Sequence, residues 1–297
     1  MGIPSLRLRA SDAVELMDDP DCDRERLDRT YANFRLVNAV VSGWREIYRR
    51  EIRPALSTTV ERTLLDVGSG GGDVARSLAR WAARDGLRLA VTAIDPDARA
   101  HAYATGLPPL PRLTFRRALS SELVGEGARF DFVVSNHVLH HLTAAQLGGL
   151  LVDSERLAAG RVLHGDIERS RFAYLGFGLA TWPFFRRSFI RDDGLTSIRR
   201  SFTAAELRAV VPPGWRVSRE RPSRLVLRWA PPPSPPASAS PSPPRSTSSV
   251  EPAPHTGRAR PERSISIGER AASGAGAGVT GAGVTGVGAP GARAADA

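Results

Sequence analysis

Residues 64–75, LLDVGSGGGDVA, constrain the fold of this chain more than any other stretch. A short apolar run ends in an acid, Asp66, breaks into glycines and then opens a helical pattern. That order predicts a strand, a tight loop and a helix start. Glycines in such a loop let the backbone turn through conformations closed to other residues and approach a nucleotide-like ligand closely.

The rest of the centre repeats the same grammar. Residues 63–67, 89–95, 113–115, 130–136 and 161–166 read as strands, and between the first two, Val74, Leu78 and Trp81 form one helical stripe. Thr143 and Gln146 have capping-box spacing, with Leu142 and Leu147 as a staple, and Thr203 and Glu206 repeat the device with Phe202 and Leu207. Residues 215–220 and 224–229 read as a closing hairpin. Strand–helix alternation ending in a hairpin predicts an α/β, Rossmann-like, doubly wound seven-stranded sheet with an antiparallel last strand. Upstream, Leu27, Tyr31, Phe34, Asn38 and Val41 share one helical face, and Trp44, Tyr48 and Ile52 continue in a second helix. Residues 1–56 are thus expected to form an N-terminal helical lid on a domain spanning 57–230, with 171–201 covering a pocket.

From residue 231 the composition collapses into Pro/Ser-rich and then Gly/Ala-rich sequence, including a tandem GAGVT. Such a segment cannot bury enough apolar surface to offset chain entropy, so 231–297 is expected to be a disordered tail. The net charge is +10, and all 41 basic residues are arginine. That pattern fits the codon bias of a GC-rich genome or a surface selected for anions. The single cysteine, Cys22, excludes an intrachain disulfide and a cysteine-based metal site. No signal-peptide core and no run of ~20 apolar residues is present, which makes a cytoplasmic protein the expectation.

The glycine loop alone admits two ligands. Gly70, Gly72 and Ala75 scan as G-x-G-x-x-A, the NAD-type fingerprint. Against this, Asp66 lies two residues before the first glycine, where a pyrophosphate would be repelled and the ammonium and sulfonium of S-adenosylmethionine (SAM) would be favoured. Asp95, in AIDPD, ends the next strand, where a carboxylate can accept two ribose hydroxyls. With FDFVVSNHVLHHL after the fourth strand, these motifs make the chain resemble the class I SAM-dependent methyltransferases over roughly 60–230. The N-terminal YANFRLVNAVVSGWREIYRR resembles the helical entry of ubiquinone/menaquinone methyltransferases, and the whole folded part is similar to small-molecule methyltransferases of bacterial secondary metabolism.

The resemblance implies SAM as cofactor. Asp66, Gly68, Ser69, Gly70 and Gly72 would surround its methionine and ribose parts, Asp95 would bind the ribose diol with Pro96 beside the adenine, and Asn136 would approach the methionine end. Many relatives carry an acid after strand three for the adenine amine; this chain has Ala118 and Ser120 there.

The acceptor side is less explicit. His137, His140 and His141 have ligand-like spacing, but no acid or cysteine lies nearby in sequence, so no metal is expected. The histidines fit a cofactor–substrate junction or a structural role, and His140 or His141 could deprotonate or orient an acceptor hydroxyl. Asp166, ending the fifth strand, reads as a substrate contact or base, or else as a helix cap or partner of Arg169. Arg199 and Arg200 read as solvated or paired with Asp192 and Asp193. Tyr31, Tyr174, Phe177 and Trp182 are the expected acceptor contacts, with Phe184 and Phe185 nearby; plain core packing or a membrane-surface helix also fits 171–190. The expected partner is a small aromatic or quinone-like acceptor, with no nucleic acid and at most weak membrane-surface association. A non-catalytic SAM-binding scaffold and an RNA methyltransferase are the alternatives, although no N-P-P-Y-type tetrad follows strand four.

Overall fold

The structure is a computed structural model that describes residues 4–182, 184–185 and 187–232. The tail expected at 231–297 lies outside the described residues from 233 onward. Seven strands form one sheet in the order β3-β2-β1-β4-β5-β7-β6. They are β1 (Arg62–Val67), β2 (Leu89–Ile94), β3 (Leu113–Arg116), β4 (Phe130–Asn136), β5 (Ala158–Ile167), β6 (Arg216–Glu220) and β7 (Arg224–Trp229). The first five are parallel, and β7 runs antiparallel between β5 and β6. The expected architecture is therefore observed. β5 starts three residues before the expected strand, because a register irregularity at Phe130/Phe132 lets Ala158 pair with Phe130.

Helices cover both faces: α1 (Arg24–Val41), α2 (Trp44–Ile47), α3 (Asp73–Arg84), α4 (Ala98–Gly106), α5 (Ser120–Gly125), α6 (Ala144–Leu157), α7 (Arg171–Thr181), α8 (Ile190–Arg200) and α9 (Ala204–Val210). Both capping boxes form, at Thr143/Gln146 and Thr203/Glu206. After α2 the chain winds into a π turn (Tyr48–Ile52) and a 3-10 turn (Arg53–Ala55), so the second lid helix is irregular.

The period-2 alternation of side chains along each strand sorts the core into two layers. Leu65, Val133, Val162 and Leu227 face α6 and α9, whereas Leu64, Val134, Leu163 and Val226 face α3 and the stretch carrying Trp44, Ile47 and Ile52. Trp44, Ile47 and Ile52 are thus built into the sheet's core. β1 lies between β2 and β4, so the strand order reverses there, and loops leaving the carboxyl ends of β1 and β4 open a crevice. No helix among the described residues is long and apolar enough to cross a membrane.

Candidate active site

A cavity of about 1060 Å³ opens at that crevice and extends from the glycine loop, under α1, to the face of α7. Its two ends are built from different materials.

The glycine-loop end is fixed by backbone hydrogen bonds. Gly68 and Ser69 both donate to the Ile94 carbonyl, at 2.9 and 3.0 Å, which ties the loop to the end of β2. Asp95 Oδ2 accepts from Gly70 N (2.8 Å) and Oδ1 from Asp97 N (2.9 Å), so the carboxylate after β2 holds the loop after β1. Glycine is required at two positions. Gly68 has φ +67°, and a Cβ there would sit 2.6 Å from Val138; Gly72 has φ +78°, and its Cβ would strike the Phe115 ring at 2.4 Å. Gly72 caps α3 and packs behind the loop, without lining the cavity. Tyr31 lies over Gly71, against Tyr103 with ring centroids 5.1 Å apart.

Three carboxylates surround this loop. Asp66 is 1% exposed, and neither of its oxygens has a hydrogen-bond partner among the described residues. Asp73 accepts from Asn38 Nδ2 at 3.0 Å. Burial raises the pKa of Asp66, Asp73 and Asp95 alike, and Asp73 and Asp95 push Asp66 higher still. An anionic cradle with unsatisfied oxygens suits a cationic ligand and repels a pyrophosphate, so it fits the ammonium and sulfonium of SAM. Asn136 lines the same end, its Oδ1 also unpartnered. Pro96, whose carbonyl accepts from Arg117, lines the cavity beside Ala118 and Ser120. No acid directly follows β3, but Ser120 Oγ donates to Asp153 Oδ2 of α6 at 2.6 Å, and both line the cavity.

The other end gathers the histidines. His137 leaves β4 in a left-handed conformation (φ 58°), stabilised by its N–H on the Gly165 carbonyl at 2.9 Å. Burial lowers its pKa to about 4, keeping the ring neutral. His140 and His141 follow on a 3-10 turn. Asp166 lies behind them and does not line the cavity. Its Oδ1 is 2.6 Å from His140 Nδ1 and its Oδ2 accepts from His140 N at 2.9 Å, so it fixes the imidazole from the rear. The expectation of a direct substrate contact is corrected to this bracing role, because both carboxylate oxygens are taken up by neighbouring groups. Arg169 pairs with Glu206 and not with Asp166.

The expectation that no acid approaches the histidines is also overturned. Residues 4–23 cross the domain as a strap, and a 3-10 turn (Leu16–Asp18) sets Glu15 into the cluster. Glu15 Oε1 is 3.5 Å from His140 Nε2 and 3.7 Å from His141 Nε2, while Asp18 Oδ2 is 3.5 Å from His141 Nδ1. Glu15, His140 and His141 form a group able to hold a metal ion. Burial alone would lower the His140 pKa; Asp166 and Glu15 override it and raise it to about 9. Burial pushes the Glu15 and Asp166 carboxyls up, but their histidine partners bring both below the ordinary range. Asp193 holds the strap, accepting from Leu16 N (2.7 Å) and Met17 N (3.0 Å). Arg200 is buried and faces Glu15 and Asp18, not Asp192 or Asp193, because α8 turns its last residue toward the strap.

Helical periodicity decides which of the expected aromatic contacts reach the cavity. Ala173, Gly176, Phe177 and Ala180 of α7 line the cavity, with the largely exposed Phe172 at its edge. Tyr174 lies off this lining face. Trp182, beyond the helix end, is 67% exposed and stacks with Arg191 at 4.8 Å from its ring centroid. Tyr174 and Trp182 do not line the cavity, and Phe184 is exposed as well. Glu15, Asp18, Asp73, Asp153 and Asp193 were not found by reading the sequence. No local signal marks Glu15, whose partners are 125 and 126 residues away.

Comparison with known proteins accords with this geometry. Residues 64–159 match the family described as a methyltransferase domain. A ubiquinone biosynthesis O-methyltransferase of Methylocella silvestris is 33% identical over 178 residues, which cover 53% of this chain and 66% of that protein. One of Methylobacterium sp. is 37% identical over 86 residues, 27% of this chain and 30% of that protein. The chain thus spans just under two thirds of the first relative's length and under a third of the second's. Among solved structures, the plantazolicin methyltransferase BpumL, in complex with a triazolic desmethylPZN analog and SAH, shares the fold with a TM-score of 0.50 at 12% identity, over 72% of this chain and 92% of that one. Glycine loop, ribose-strand acid, sheet order and the match over residues 64–159 together support a class I SAM-dependent methyltransferase.

Proposed function

We propose that the protein methylates a hydroxyl oxygen of a small, largely apolar molecule of aromatic or quinone-like type. The observation that supports this most is the polarity of the cavity at the crevice: anionic at the glycine loop, apolar under α1 and α7, and hydrogen-bonding at the histidine cluster. The naming of both curated relatives as ubiquinone biosynthesis O-methyltransferases favours oxygen over carbon.

SAM supplies, when bound, an electrophilic methyl group on a sulfonium. Asp66 would compensate its positive charge, the Gly68–Gly70 turn and Asn136 would hold the methionine part, and Asp95 and Pro96 the ribose and adenine. Asp153 with Ser120 stands in for the missing adenine acid. Phe172 and Phe177 would hold the flat acceptor, while α1 and the strap exclude water. His140, oriented by Asp166, and His141 are the groups that would orient the acceptor hydroxyl. Rate gain would come mainly from aligning donor and acceptor.

Incubation with labelled SAM and a panel of phenols and quinols tests the reading. Label transfer to an oxygen is expected. Transfer only to RNA, or SAM binding with no transfer to any member of the panel, would overturn it in favour of an RNA methyltransferase or a scaffold.

A further inference from the structure

We infer that Glu15, His140 and His141 form a binding site for a divalent first-row transition metal of the zinc class, at the acceptor end of the cavity. The inference rests on the small-molecule methyltransferase reading for its role, though not for the site itself.

Three observations carry it. First, the donor atoms converge. Both imidazoles turn Nε2 toward one carboxylate oxygen, Glu15 Oε1, at 3.5 and 3.7 Å, and the three donor atoms lie within 4.8 Å of one another. Ligands about 2.1 Å from a tetrahedral zinc stand roughly 3.4 Å apart, so the spacing is that of a site closed by a small inward shift of His141. Second, each imidazole is held from behind by its own carboxylate: Asp166 on His140 Nδ1 at 2.6 Å, and Asp18 near His141 Nδ1 at 3.5 Å. A carboxylate on the far nitrogen fixes the ring and directs the other nitrogen's lone pair forward, as in metal-ligating histidines. Third, His140 Nε2 is buried and has no hydrogen-bond partner among the described residues.

Glu15, Asp18 and Asp166 all face the two imidazoles, with Arg200 Nη1 3.7 Å from Glu15 Oε1 and Arg9 Nη2 2.9 Å from the His140 carbonyl. Ser197 Oγ donates to Glu15 Oε1 at 2.8 Å, which orients the carboxylate without filling its remaining lone pair. Two imidazoles and one carboxylate select zinc, cobalt, nickel or iron over magnesium and calcium, which prefer all-oxygen shells. Three protein ligands leave an open position, and Glu15, His140 and His141 all line the cavity. The open position would take the acceptor oxygen and lower its pKa. The hydroxyl proton then passes to solvent, the oxygen lone pair forms the new C–O bond, and the C–S electron pair returns to sulfur.

The test uses the tag-free full chain, loaded with Zn²⁺ or Co²⁺ and desalted. About one retained metal per chain, and visible Co²⁺ bands of mixed imidazole–carboxylate coordination, are expected. Glu15→Ala and His141→Ala should each weaken zinc binding at least ~10-fold, and Asp166→Asn by ~10- to 100-fold. His101→Ala, away from the cavity, should change nothing. SAH binding by calorimetry in each variant reports that the fold and the cofactor end survive. A wild-type chain that binds SAH yet yields no Co²⁺ bands, or that binds zinc no more tightly than Glu15→Ala and His141→Ala, overturns the site. Retained metal without methyl transfer to any phenol or quinol would leave the site standing and overturn the methyltransferase reading.

Discussion

At the glycine-loop end, Asp66, Gly68, Ser69 and Gly70 come from one turn of chain, and Asp95 closes it from the neighbouring strand. At the histidine end, Glu15 arrives from the strap, His140 from the turn after β4, Asp166 from β5 and Asp193 from α8. The first end hangs on parallel strand ends whose register the sheet sets. The second is assembled from segments up to 178 residues apart, and each contact adds an independent way to move. A fixed donor end beside a composite acceptor end lets one reaction be aimed at different molecules.

The largest expected effect breaks the donor end alone. Asp66→Asn should weaken SAM binding by about 2–3 kcal/mol, roughly 100-fold, since a charge-assisted contact is lost. The same change should raise the melting temperature of the ligand-free protein, because it removes a buried carboxylate with no partner. Loss of binding together with a lower melting temperature would show that Asp66 is structural. Because the Asp66, Asp73 and Asp95 pKa values are raised, SAM affinity should also fall as pH drops, the carboxylates taking up protons where ordinary ones stay ionised.

A second prediction concerns β5, the strand that carries Asp166 to the histidine end. His164 lies between Ser135 (2.7 Å) and Ser154 (3.2 Å), stacked on Trp215, and burial lowers its pKa to about 3. The unfolded chain takes up this proton near pH 6.5 and the native protein does not. Stability should therefore fall as pH drops below 6.5, by about 2 kcal/mol at pH 5 from this residue alone. Imidazole NMR shifts that stay neutral down to pH 4, with denaturant curves, would check it.

Asp193→Ala should release the strap while sparing the cradle. The acceptor KM should rise about tenfold, or ~1.4 kcal/mol, with the SAM dissociation constant unchanged in calorimetry. Equal losses at both ends would show that the strap supports donor and acceptor ends alike. The smallest effect separates two aromatics: Phe177→Ala should raise the acceptor KM several-fold, whereas Trp182→Ala should leave it within about twofold, a surface change.

The donor end and sheet were legible in the sequence because their determinants are local. Alternation, two capping boxes and a glycine loop between two acids act over a few residues, and parallel pairing then fixes their relation. Tyr174 and Trp182 were misplaced for want of phase: an apolar helix shows its composition in sequence, and its inward face only after packing. Glu15 was invisible for a stronger reason. A single acid among apolar neighbours has no meaning until the turn after β4 and the end of β5 supply its partners. Asp153 joins the cavity beside Ser120 although no sequence signal after β3 points to it, because spatial position, and not order along the chain, sets what a ligand meets.

The Asp193 clasp on Leu16 and Met17 also has a consequence in time. Residues 15–17 leave the ribosome well before Asp193, and a backbone N–H awaiting its acceptor must stay in water meanwhile. The donor end has all its parts once α6 is made, so it can form on the emerging chain, while the strap waits for α8. Truncation before α8 should thus yield a chain with a formed glycine loop and an undocked amino terminus, open to proteases around Glu15, which the finished protein buries.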